Sequence, residues 1–230
     1  MTDAHPAPRL PRRFADLFGG AVIGLSVLLA VVMILHHPVA HGGGTAAILQ
    51  SAQRQADIDH IVHGVLIALM GVLTLGFLHL TQRLGFQRPA AAAGFVAFAA
   101  GSLLVSIAGT FDGFVVPDVA TWCNAPGHVC TGSGMLVLIS AVIQDFTTVG
   151  FVAQSIGLIA WGIALLTARG GWAGRTLGVL GVLCGGASAA VLIGAHVFLT
   201  PHSLLMIFAV YGVWYLAAAA WLIAVPRTPD

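Results

Sequence analysis

Residues 58–82 read IDHIVHGVLIALMGVLTLGFLHLTQ, and this stretch decides the fold. From Val65 to Leu73 it is apolar without a break, and Arg83 is the first basic residue after it. A run of about 20 such residues matches the hydrocarbon thickness of a bilayer. Comparable runs recur along the whole chain, in which only 7% of residues are charged. The expected fold is an all-α integral membrane protein, a compact bundle of six transmembrane helices.

The apolar runs place these helices at 17–37, 58–82, 90–114, 135–168, 174–199 and 203–225. The fourth is longer than a span needs, so its first turns are expected at or above the interface. The connections are short, which argues for one membrane domain over 17–225 and no separate soluble domain. Outer loops are expected at 38–57 and 115–134, with tails at 1–16 and 226–230. The start MTDAHPAPRLPRRFADLFGG is polar and basic, and the apolar run behind it is too long for a signal-sequence core. It reads as a cytoplasmic tail.

Charge sets the expected orientation. Every basic residue is Arg and every acidic one Asp. Arg9, Arg12, Arg13, Arg83, Arg88, Arg169, Arg175 and Arg227 fall on one side of a six-span topology, and Arg54 alone on the other. The positive-inside rule then puts both termini in the cytoplasm of a bacterial-type inner membrane. Without lysine there is no Schiff-base chemistry, and without a basic stripe a nucleic-acid partner is excluded. The partners left are the bilayer, a lipid or quinone ligand, and a second copy or another membrane subunit.

The opposite, periplasmic side collects most of the histidines. On the second helix, Asp57, His60 and His63 follow at three-residue steps, a polar ladder descending into the membrane. Ionisable groups at such depth are costly and normally turn toward the bundle interior or a wet cavity. Asp112 and His196, near the outer ends of the third and fifth helices, are the natural partners across the bundle. Imidazole and carboxylate together suit Zn, Cu or Fe. The metal set is therefore expected to be His60, His63, Asp112 and His196. His202, His41, His36 and His37 stand behind them, the last three from the stretch ILHHPVAHGGG at 34–44. A hydrogen-bonded network without metal, passing protons or sensing pH, is the other reading of the same cluster. No HExxH or paired CxxC motif decides between them.

The outward-running helices end alike, in ILHHP, GTFDGFVVP and GAHVFLTP, each an ionisable group followed by proline. Aligned on their inner arginines, helices 2–3 and 4–5 read as a tandem helical-hairpin repeat. Between the third and fourth helices, Cys123 and Cys130 bracket a Pro-Gly turn, and on an oxidising side they are expected to form a disulfide. Cys184 reads as packing.

Three functions fit this pattern. An open coordination position would make the site a metal-dependent hydrolase for a membrane-embedded substrate, with Asp145 or Asp57 as proton acceptor. A b-type haem between His63 and His196 would make it a quinone-linked redox protein. A metal-free accessory, sensor or proton-transfer subunit is the third.

Overall fold

The computed structural model describes residues 12–40, 42–127, 133–168, 171–194 and 201–226. Among these residues helices are the only regular secondary structure, and six are long and apolar enough to cross a membrane. The elements are α1 (Arg12–Leu35), α2 (Thr45–Leu84), α3 (Pro89–Thr110), α4 (Val116–Cys123), α5 (Ser133–Thr167), α6 (Trp172–Gly194) and α7 (Pro201–Ala224). A π-turn, Phe111–Val115, joins α3 to α4, so that Pro89–Cys123 is one continuous helical unit.

Neighbours in sequence are neighbours in space. α1 packs on α2, α2 on α3, α3 along α5, α5 along α6 and α6 on α7, while α7 returns to α1. The six long units therefore form a closed ring of staves. Glycines set how closely the staves approach. A Cβ on Gly162 would meet the Gly178 carbonyl at 2.7 Å, and one on Gly178 would meet the Gly162 carbonyl at 2.8 Å, so α5 and α6 touch backbone to backbone. The small-residue spacings at 174/178 and 181/185 thus serve contacts within the chain.

The ring is filled by aromatic side chains. Phe77 is fully buried, with the rings of Phe98 at 4.6 Å, Trp161 at 4.8 Å and Tyr215 at 4.9 Å. Trp161 and Trp214 stack at 5.8 Å with their planes 8° apart. Three buried polar tips find partners, as burial favours. Trp161 Nε1 donates to Thr81 Oγ1 at 2.9 Å, Trp214 Nε1 to the Leu177 carbonyl at 3.0 Å, and Tyr211 OH to the Phe151 carbonyl at 2.7 Å.

At one end, where α1 starts and α2 and α7 finish, a charged latch ties three staves together. Asp16, 6% exposed, accepts from His79 Nε2 at 2.8 Å and lies 3.6 Å from Arg83 Nη1. Arg83 also donates to the carbonyls of Leu222 and Val225 and sits 4.0 Å over the Trp221 ring. It thereby caps the last turn of α7, whose terminal carbonyls have no helical partners.

The staves differ in length. α1 and α7 have 24 residues each, or about 36 Å at about 1.5 Å per residue, whereas α2 has 40, or about 60 Å. The surplus lies at the end away from the latch. Here the structure departs from the expected loops: α2 starts at Thr45, inside 38–57, and α4 occupies much of 115–134. The segment TAAILQSAQRQAD is polar yet rich in strong helix formers, and polarity does not prevent a helix that stands in water. Leu49 and Ala52 pack on Ala120, and Asn124 donates to Gln53 Oε1 at 2.9 Å. Cys123 ends α4, while Cys130, its expected disulfide partner, lies outside the described residues. Cys184 is a free thiol.

Candidate metal centre

Three stripes of buried or partly buried residues run along α1, α2 and α3 at seven-residue intervals. On α1 the stripe is Asp16, Ile23 and Ala30; on α2 it is Met70, Phe77 and Leu84; on α3 it is Ala91, Phe98 and Val105. Seven residues fall about 20° short of two full turns, so each stripe holds nearly one face. One step further toward the long-stave end brings His37, His63 and Asp112. All three therefore arrive at one level, where the short stave α1 has ended.

Each side chain is delivered differently. His63 sits mid-helix and is 4% exposed. His37 lies just past α1, in a tight final turn in which His36 N donates to the Met33 carbonyl at 3.1 Å and His37 N to the Ile34 carbonyl at 3.2 Å. Asp112 belongs to the π-turn. Pro117 cannot donate to the Gly113 carbonyl four residues before it and would clash with it in a regular helix. A single wide turn relieves that conflict, and such turns recur at functional sites. Gly113, in the same turn, presses on His63: a Cβ there would come within 2.2 Å of His63 Cβ and Cγ.

The donor atoms converge. His37 Nε2 is 3.1 Å from His63 Nε2, His63 Nε2 is 3.3 Å from Asp112 Oδ2, and His37 Nε2 is 3.7 Å from Asp112 Oδ2. Behind His63, Nδ1 lies 3.1 Å from the main-chain carbonyl of Asp59 and 2.9 Å from its Oδ1. With the proton on Nδ1 directed at Asp59, the Nε2 lone pair faces His37 and Asp112. Ligand atoms of His37, Asp59 and His63 lie within 4.8 Å of one another.

These distances fit a metal ion. Zn–N and Zn–O bonds are about 2.0–2.1 Å, and two ligands of a tetrahedron are then about 3.3 Å apart. The triangle His37–His63–Asp112 has edges of that length. Asp59 stands where metal-ligating histidines usually have a carboxylate or carbonyl that fixes ring orientation and tautomer. Beside the triangle, the buried His37 Nδ1 lacks a hydrogen-bond partner among the described residues.

Of the residues singled out in the sequence, His63 and Asp112 are brought together and His37 joins them. His60 stands apart, its ring stacked on Phe114 at 5.1 Å. Asp57 and Asp145 are exposed. His36 is exposed as well and turns its Nδ1 back to the Val32 carbonyl at 2.8 Å. His41, His196 and the side chain of His202 lie outside the described residues. Asp59 was not singled out, although its signal was legible: the residue four before a helical histidine faces it, whereas Asp57, six before, does not.

Comparison with protein-family models, with curated proteins and with solved structures finds no match for this chain.

Proposed function

We propose that this chain is a multi-pass inner-membrane protein that holds one transition-metal ion at the periplasmic ends of its helices. His37 Nε2, His63 Nε2 and Asp112 Oδ2 are the ligands, with Asp59 orienting His63. The observation that carries this reading is the triangle of donor atoms at tetrahedral spacing. Two imidazoles and a carboxylate suit Zn or Fe, and Cu(II) less closely. Three protein ligands with a position left open are the pattern of catalytic sites, whereas structural sites are usually filled. A divalent ion there would supply Lewis acidity to a substrate reaching the site at the membrane surface. The residues of the chain do the rest: His63 and His37 would offer their Nε2 lone pairs, Gly113 packs against the His63 ring, and Asp59 orients it through Nδ1.

A haem on His63 finds less support. Its axial face is already taken by His37 and Asp112 at 3.1 and 3.3 Å.

The test is elemental analysis and a visible spectrum of the purified full-length protein, with reporter fusions at Gly43 and Val225 for orientation. One equivalent of Zn, Fe or Cu without a Soret band, lost in His63→Ala and His37→Ala but kept in His36→Ala, is the expected result. A Soret band would select haem. Absence of both would leave a metal-free hydrogen-bonded network.

A further inference from the structure

At the opposite end of the bundle, α1 and α2 leave a groove of about 270 Å³ on the outside of the ring. Phe14, Phe18 and Val22 of α1 and Val72, Leu75 and His79 of α2 line it, and Gln82 closes its polar end. Phe14, Phe18 and Leu75 are more than half exposed, so the groove opens away from the aromatic core.

His79 is built into this groove. Gly19 lies flat against its ring, leaving no room for a Cβ, and Asp16 accepts from its Nε2 at 2.8 Å. Asp16 is itself 94% buried by its 6% exposure and faces Arg83. With Nε2–H committed to Asp16, Nδ1 is the ring atom left for a ligand, and it makes no hydrogen bond among the described residues. Gln82, one turn further along the same face, is exposed and adds an amide that both donates and accepts.

We propose that this groove binds the head ring of a membrane quinone, in its quinone or quinol form. The chemistry selects such a ligand in three ways. Two aromatic walls four residues apart on α1 suit a flat ring. The polar groups are an imidazole Nδ1, which can meet a quinol hydroxyl or, when protonated, a quinone carbonyl, and an amide, which matches the ring's oxygens. No cationic side chain lines the groove among the described residues, as a phospholipid phosphate would require; Arg83 is turned to Asp16 and to the end of α7. The volume is at the small end for a ligand pocket, enough for one substituted ring while the isoprenoid tail runs along Val72 and Leu75 into lipid. This site is separate from the metal centre and does not depend on it.

The experiment is equilibrium binding of decylubiquinone, and of the same compound reduced to the quinol, to the full-length protein in detergent, read by calorimetry. Saturable binding of one molecule per chain is expected. Val72→Trp fills the groove while leaving the Asp16–His79 pair intact, and it should weaken binding at least tenfold, as should His79→Leu. Val191→Trp, a lipid-type position on α6, should leave affinity unchanged. The proposal is overturned if neither form binds saturably, if Val72→Trp binds as well as wild type, or if equimolar phosphatidylglycerol displaces the probe, which would make this an acyl-chain groove.

Discussion

Nε2 of His37, just past the end of α1, lies 3.1 Å from Nε2 of His63 in α2, across 26 positions of sequence. Two imidazole nitrogens approach so closely only when a proton or a cation lies between them, since two lone pairs repel. The carboxylate of Asp112, within 3.7 Å of both, stabilises positive charge between them, whether carried by a proton or by a metal ion.

The role of Asp59 can be separated from that of the ligands. Asp59→Asn keeps the shape of the side chain but removes the carboxylate from His63 Nδ1. Metal affinity, measured by competition with a chromophoric chelator, is expected to fall about 10–100-fold, while the ion still binds. An unchanged affinity would mean that the main-chain carbonyl of Asp59 suffices.

Gly113 gives a steric test. A methyl group there would overlap the His63 ring, whereas a methyl at Gly109 would meet His63 Cδ2 at 3.7 Å, an ordinary contact. Gly113→Ala should therefore release metal as fully as His63→Ala, and Gly109→Ala should retain it. Equal retention in both would contradict the close packing of the π-turn on α2.

The latch is testable without any ligand. In a double-mutant cycle of Asp16→Asn and His79→Gln, thermal unfolding in detergent should give a coupling of about 0.5–3 kcal/mol. Additive effects would show that the two side chains do not act on one another.

The aromatic core should respond unevenly. Phe77→Ala removes the ring against which four others pack and is expected to cost about 3–5 kcal/mol. Trp161→Phe keeps most of the ring, and Thr81 Oγ1 still bonds the Phe77 carbonyl at 2.8 Å, so a loss of about 0.5–1.5 kcal/mol is expected. Chemical denaturation of the two variants side by side checks the order.

Much of this architecture is written in local chemistry. Apolar runs define six membrane-length helices, because the transfer of each side chain into an apolar medium depends on its type and hardly on its neighbours. The limits of those helices were less legible: TAAILQSAQRQAD is helical despite its polarity, and α3 passes Pro117 through a π-turn. Lipid compatibility says where a span fits, and it does not say where a helix must stop.

The site divides along the same line. That His63 and Asp112 lie toward the same end of the apolar spans followed from position alone. That His37 reaches them while His60 stacks on Phe114 depends on how α1, α2 and α3 rotate about their axes, and that rotation is set by packing among residues far apart in the chain. Asp59 was within reach of helical geometry, since the i, i+4 relation to His63 holds in any straight helix. The sequence by itself determined the class and the six membrane-length apolar runs, which follow from hydropathy. Only the tertiary structure decided which stripes meet at one level, because ligand spacing of about 3.3 Å is a property of three helices at once.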